Sequence, residues 1–390
     1  MASVYKDKSR NKWRARYDGP DGKRRSKDFH RKAVAEKWLA NQLADMERGD
    51  WIDPQGGRVT FTEWADAWLA GLPIKAQTRE SYRQAVEDAK ASFGGRRLTG
   101  LRRSMIVAWV GDMSQRLGPS TTTSRYRIVA MCLKAAVSDR LIRQTPCENV
   151  PLPRSTKGKV VPPTDEEVLA VAESISPRFR AAVLLMAGTG ARQGEAMGLT
   201  VDRAGLAPAI DPVITIDRQL LTPSRRGHLP YIGPVKRESS VRTVPLPNSV
   251  REALAAHLAE FGPLNLEIEI ADDSGRRRTE TVDLVFGSRT GGPVTRSSIG
   301  DAVRRAAERA GAKGVTPHML RHYYASTLIA AGEDVVTVQN RLGHKNASET
   351  LDTYSHLFPN KGGDRTRRAI DHALGGALRG RQDPDAKATG

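Results

Sequence analysis

A chain of 390 residues with a formal charge of +18 and an isoelectric point near 10.1 has room for two or three domains and points to a polyanionic partner. Its longest apolar run, Ala181 to Ala187, is far too short to span a bilayer, and the charged N-terminus lacks the apolar core of a secretory signal. Cys132 and Cys147 stand without paired spacing, which argues against a cysteine metal site and fits a reducing cytosol.

The charge is placed unevenly. Residues 1–155 hold 30 Lys and Arg against 17 Asp and Glu, so +13 of the +18 falls in the N-terminal part. Residues 1–55 read as a small basic module. In Trp13-Arg14-Ala15-Arg16-Tyr17, apolar and cationic side chains alternate with the period of a half-exposed strand. The turn signal Asp18-Gly19-Pro20-Asp21-Gly22 follows, and Lys23 to Phe29 can return as a second strand. A helix is expected from about Arg31 to Arg48, with Val34, Trp38, Leu39, Leu43 and Met46 along one side and Gly49 as its stop. Arg14 and Arg16, beside the cluster Lys23, Arg24, Arg25 and Lys27, could enter a DNA major groove as other sheet readers do. A solvated charged hairpin is the alternative.

Residues 60–145 read as wholly helical. Four stripes at helical spacing run through Phe61 and Trp68, through Tyr82, Val86 and Phe93, through Ile106 and Trp109, and through Tyr126, Val129 and Leu133. Their aromatics are expected in a bundle core. The cations between the stripes, Arg96, Arg97, Arg102, Arg103, Arg125 and Arg127, are candidates for phosphate contacts. Residues 146–163 hold five prolines and no periodicity, and read as a linker. Thr164-Asp165-Glu166-Glu167 is a capping box that opens a third domain, residues 164–374. This domain is expected to hold a buried helix near Phe179 to Ala187, strands at Val213–Ile216 and Arg242–Leu246, a hairpin or loop insertion at 264–283, and a helical last third. Residues 375–390 are small and polar, and read as a mobile tail. The fold class is therefore multidomain and mainly α with small β parts: a sheet-plus-helix module, a helical bundle and an α+β third domain.

Six residues of that third domain make sense together as one phosphate-cleaving site: Arg192, Lys236, His318, Arg321, His344 and Tyr354. Cleaving a phosphodiester without a metal requires stabilising the charge of the pentavalent phosphorus, an in-line nucleophile and a proton for the departing oxygen. Arginine suits the first task because its planar fork binds two phosphate oxygens and keeps its charge. Arg192 follows a Gly188-Thr189-Gly190 break, with Glu195 on the same turn as an alternative ion-pair partner. His318 and Arg321 are three apart after Thr316-Pro317, so they share one side of a helix. His322, four residues after His318, raises a zinc alternative, which Arg321 and the lack of a third ligand disfavour. Lys236 is the sole lysine between Lys159 and Lys313, and an ammonium among cations can act as an acid where arginine cannot. Tyr354 follows Leu342-Gly343-His344 by ten residues, with Leu351 and Leu357 placed to hold its helix.

This order and these settings closely resemble the tyrosine recombinase (phage integrase) family over residues 160–360. The resemblance extends more loosely to the N-terminal module, which looks like the arm-site-binding domain of temperate-phage integrases. It implies that Tyr354 attacks the scissile phosphate to give a 3′-phosphotyrosine, that Arg192, Arg321, His318 and His344 stabilise the phosphate, and that Lys236, on a β-hairpin, protonates the leaving oxygen. His322 would be structural. No cofactor or metal is implied. The implied partners are double-stranded DNA at core and arm sites, three further copies of the chain in a tetramer, a directionality factor and a host DNA-bending protein, in a bacterial cytoplasm. Two alternatives stay open at this level: a type IB topoisomerase and a non-catalytic DNA-binding regulator.

Overall fold

Trp13, Ala15 and Tyr17 fall on one face of a strand, and that face is buried against a helix. The computed structural model describes residues 2–20, 22–48, 51, 59–74, 76–154, 158–207, 211–223, 229–358, 367–368 and 370–374, in two compact units divided after Lys157. In the first unit, β1 (Ser3–Asp7), β2 (Lys12–Asp18) and β3 (Arg24–Phe29) form an antiparallel sheet in that order. Strand β1 escaped the sequence reading because Ser-Val-Tyr-Lys-Asp has too little alternation to declare itself. The helix α1 (Lys32–Glu47) packs Ala35 and Leu39 onto Ala15 and Tyr17, and Trp51 closes this core. Polar satisfaction accompanies the packing: the Trp51 indole donates to the Tyr17 hydroxyl at 3.0 Å, and that hydroxyl donates to Gln42 at 3.1 Å. The expected stop at Gly49 lies outside the described residues.

A second core in the same unit belongs to α2 (Phe61–Gly71), α3 (Ala76–Phe93), α4 (Arg103–Arg116) and α5 (Pro119–Ser138). The four helices correspond to the four apolar stripes. Thr60 opens α2 with a reciprocal capping box to Glu63. Phe61, Phe93 and Trp109 meet edge to face inside the bundle, and all three are buried. The sheet-plus-helix core and the helical core are separate, and an Arg143–Asp45 ion pair at 3.2 Å runs between the two parts.

The second unit is built around α7 (Pro177–Thr189), whose residues Ala181 to Ala187 are almost all buried. A helix apolar on every side belongs at the centre. It packs on α6 (Asp165–Ser174), α9 (Asn248–Phe261) and α11 (Pro317–Ala330), while the short α8 (Gln193–Met197) follows it directly. Strands β4 (Val213–Ile216) and β7 (Arg242–Pro245) pair antiparallel as one small sheet. A second sheet has the order β5 (Arg218–Leu221), β6 (Tyr231–Pro234), β8 (Leu264–Ala271) and β9 (Arg277–Leu284), with β6 and β8 parallel. The segment expected to be an insertion is the long hairpin β8–β9, in register from Leu264↔Leu284 to Ala271↔Arg277. The last third holds α10 (Arg296–Arg309), α11, α12 (Val335–Leu342) and α13 (Ala347–Tyr354). Residues 367–368 and 370–374 are helical, and the expected mobile tail from Gly375 lies outside the described residues. No helix among the described residues is long and apolar enough to cross a membrane.

Candidate active site

Helix α7 ends where Thr189 folds its hydroxyl back onto the Leu185 carbonyl at 2.6 Å and Gly190 turns into the left-handed region, with φ of 64°. A side chain at Gly190 would be strained there, and its Cβ would sit 2.5 Å from the Tyr324 ring. The turn delivers Arg192 to the N-terminus of α8. The Glu195 carboxylate accepts from the Arg192 backbone N–H at 2.9 Å and from its guanidinium at 2.7 Å. Glu195 is buried, and its other principal partner is Arg242, which reaches it from β7 at 2.8 Å. The Arg192, Arg242 and Arg321 charges outweigh burial and hold this carboxyl below the usual range.

Arg321 is buried in the second turn of α11. One end of its guanidinium donates to the Gly190 carbonyl at 2.7 Å, and the other donates to the Leu342 carbonyl at the end of α12. Leu342 ends a helix, so Arg321 answers the partial negative charge of that terminus as well. Burial, together with Arg192 and Arg242, pulls Arg321 below the usual guanidinium range. Gly343 then takes a left-handed conformation, with φ of 63°, and the His344 N–H bonds back to Gln339 at 3.1 Å. The His344 ring is fixed by the hydroxyl of buried Thr350 at 2.9 Å. Burial and the neighbouring arginines bring His344 down to about 4, so this imidazole is neutral near pH 7.

Tyr354 ends α13 and is 1% exposed. Its hydroxyl lies 2.6 Å from Nδ1 of His322, whose ring meets that of His318 edge to face at 4.5 Å. Burial pushes the Tyr354 phenol up to about 12, against the opposing pull of Arg321. His318 is open to solvent on one side, yet partial desolvation and the charges of Arg321, Arg192 and Arg296 lower it. Arg192, His318, Arg321, His344 and Tyr354 thus belong to one cluster, linked through Gly190, Leu342, Thr350 and His322.

Lys236 is placed differently from the expectation. It stands two residues past β6 in the connection to β7, and β6 pairs with β5 and β8 rather than with β7. The hairpin is therefore β5–β6, and the lysine follows it on an exposed crossing between the two sheets. That crossing is tied to the cluster just after the lysine. Arg237 pairs with Glu349 of α13 at 3.5 Å, and the Ser240 hydroxyl bonds to the Gly343 carbonyl at 3.4 Å. The sequence reading also missed Arg242. Its signal was the alternation of Arg242, Val244 and Leu246 on one strand face, since an arginine on an apolar face demands a buried partner. Among the described residues, no group of three or more His, Cys, Asp and Glu side chains is arranged to hold a metal ion.

Residues 164–361 match the phage integrase family, and residues 3–48 match the phage integrase N-terminal domain. The first match alone covers half of the chain. The chain belongs to the phage integrase family. It is a site-specific tyrosine recombinase. It is 25% identical over 370 residues to the putative prophage phiRv2 integrase of Mycobacterium tuberculosis strain H37Rv, covering 92% of each chain. To the integrase of Mycobacterium phage L5 it is 24% identical over 325 residues, covering 81% of this chain and 82% of the other. Its fold is shared with the Tn1549 transposon integrase in complex with transposon right-end DNA, with a TM-score of 0.66, 22% identity, and 80% of this chain and 99% of the other covered. A lambda integrase dimer bound to a core site superposes with a TM-score of 0.57 at 15% identity, over 92% and 95% of the two chains.

In this integrase the cations expected at DNA divide by strand geometry. The pairing Ala15↔Lys27 and Tyr17↔Arg25 puts Arg25 and Lys27 on the helix side of the sheet. Arg25 is buried over Trp51, 4.6 Å from the ring centroid, and Lys27 approaches the Phe29 and Trp38 rings. The expectation for Arg25 is corrected by its burial, whereas Lys27 stays exposed on the same side of the strand; Arg24 lies on the open face and pairs with Asp18 at 3.0 Å. Lys23 is exposed in the turn before β3. Arg14 and Arg16 do lie on the open face, but Asp28 grips Arg14 with two hydrogen bonds, at 2.7 and 2.9 Å, and Arg16 leans on Tyr5. In the helical core, Arg96, Arg97 and Arg127 are exposed, whereas Arg125 shares the Asp88 carboxylate with Arg116.

Proposed function

We propose that this recombinase integrates and excises the DNA of a phage or related element, and that Tyr354 is its nucleophile. The observation that carries the reading is the placing of the Tyr354 hydroxyl on His322 within the field of Arg321, in a cluster with an excess of guanidinium charge over Glu195. In this reading the Tyr354 oxygen bonds phosphorus, and the 5′-oxygen leaves with a proton from Lys236. Arg192, Arg321, His318 and His344 stabilise the charge on the phosphate oxygens. The energy of the broken bond is kept in the 3′-phosphotyrosine, so rejoining is the same steps reversed.

The three modules would divide the work. Residues 60–145, joined by 146–163 to residues 164–374, would hold the core site, and residues 1–55 would bind an arm site. Exchanging strands between two duplexes takes four active sites, so four copies would assemble on DNA. A lambda integrase tetramer bound to a Holliday junction shares the fold at a TM-score of 0.54, which supports this stoichiometry. A directionality factor and a host DNA-bending protein complete the proposed set of partners.

A nicked suicide substrate, made from the junction sequences flanking the gene in its genome, tests the reading. The parent should form a covalent adduct that peptide mapping assigns to Tyr354. Tyr354→Phe should bind the same DNA and form none. An adduct on Tyr323 or Tyr324 would overturn the nucleophile, and equal trapping on unrelated DNA would point to a topoisomerase instead.

A further inference from the structure

The phenolic hydrogen of Tyr354 already has an acceptor. Nδ1 of His322 stands 2.6 Å from the hydroxyl oxygen, both groups are buried, and the two rings are inclined at 66°. His322 lies one position beyond Arg321 on α11, so the helix that anchors the phosphate-binding arginine also presents this ring to the tyrosine. The titratable groups facing it are His318 and Arg321 from its own helix and Tyr354 from α13. We propose that His322 is the proton acceptor of the nucleophile: as the Tyr354 oxygen bonds phosphorus, its proton passes to Nδ1, and it returns when the phenolate leaves on rejoining. This rests on Tyr354 being the nucleophile.

The balance of the step is complete with the groups present. The O–P bond to Tyr354 forms and the P–O5′ bond breaks. The tyrosine proton goes to His322, and the leaving oxygen draws its own proton from Lys236. In the Nε2–H tautomer, Nδ1 is free to accept. Burial, helped by His318 and the charge of Arg321, brings His322 down to about 4, so the ring is neutral and available near pH 7. A phenol near 12 does not surrender its proton to such a ring in the resting site. It does so only as the O–P bond forms and the hydroxyl becomes strongly acidic, and this timing keeps Tyr354 protonated until a phosphate is engaged.

His322→Asn tests the idea because its side-chain oxygen can replace Nδ1 as a hydrogen-bond acceptor without being basic. Adduct formation is followed in single turnovers on the nicked substrate from pH 6 to 9.5, with peptide mapping of the adduct in each case. The parent should show a nearly flat profile. His322→Asn should bind DNA normally and be slowed about 10²- to 10⁴-fold at neutral pH, the usual contribution of a positioned acid or base. Its rate should climb with pH as hydroxide or spontaneous ionisation takes over the proton. The first-order rate constant is read rather than the yield, so a smaller folded fraction does not mimic the result. A flat profile in His322→Asn, whether fast or slow, would reduce His322 to a packing residue and overturn the proposal while leaving Tyr354 as nucleophile. An adduct mapped to another tyrosine would overturn both.

Discussion

The Arg242 guanidinium meets the Glu195 carboxylate at 2.8 Å with both side chains buried, and this joins β7 to the turn that carries Arg192. Arg242 also donates to the Arg341 and Ser240 carbonyls, at 2.9 and 3.0 Å, so one arginine gathers three segments of the site. Exposed pairs such as Arg304–Glu308 contribute about 0–1 kcal/mol each, whereas removing one partner of a buried pair costs about 3–5 kcal/mol. Glu195 is therefore a structural carboxylate that binds the Arg192 and Arg242 guanidiniums and offsets the charge of Arg321.

Glu195→Ala should lower stability by about 3–5 kcal/mol, and Glu195→Gln by less, because the amide keeps the shape and an acceptor. The charge part of this contribution has a defined pH range. The folded carboxyl lies below its unfolded range of roughly 4.3. Its stabilisation is fully present above the unfolded value and is lost as the pH falls through the folded one. Thermal midpoints of parent and Glu195→Gln, measured from pH 7 down to pH 3, should converge at the acid end. No gap at pH 7 would mean that the pair contributes through shape alone.

Gly190→Ala should destabilise by about 2–5 kcal/mol. A left-handed residue with a Cβ costs about 1–2 kcal/mol, and overpacking against Tyr324 adds about 1–3. The Gly190 carbonyl holds Arg321, so cleavage should fall along with the thermal midpoint. A variant with parental stability would show that Tyr324 moves aside freely.

Lys236→Ala should be slowed about 10²- to 10⁴-fold on an ordinary substrate and largely restored on one with a 5′-bridging sulfur, whose thiolate needs no acid. The lysine is exposed on a crossing whose anchors are Arg237 and Ser240, so its loss should leave the thermal midpoint unchanged. Equal impairment on both substrates would assign it to phosphate binding.

Removing residues 1–55 should abolish arm-site binding and integration, yet leave cleavage of an isolated core site intact. The sheet and α1 have their own core, so the remaining chain keeps the helical core whole. Arm binding by the full chain should weaken steeply with salt, by close to one counterion released per phosphate contact. Gel shifts on arm DNA at several salt concentrations read both effects. Loss of core cleavage with the truncation would place the module in the core clamp.

Local pattern was enough for much of this protein. The order Arg192, Lys236, His318, Arg321, His344 and Tyr354, each in its own setting of glycine, proline or capping residue, was legible because helix starts and stops are written within a few residues. The four bundle helices were legible for the same reason, through apolar spacing. What tertiary structure alone decided was pairing across long separations: which strand flanks β6, that Arg321 bridges Gly190 and Leu342, that Arg242 completes Glu195, and that His322 rather than solvent faces the Tyr354 hydroxyl. It also divided the basic cluster, since the register of β3 against β2 sends Arg25 and Lys27 to the core side and Arg24 to the open one. Charge and residue type are properties of a position. The partner that gives a buried charge its role comes from a distant segment, and only packing brings the two together.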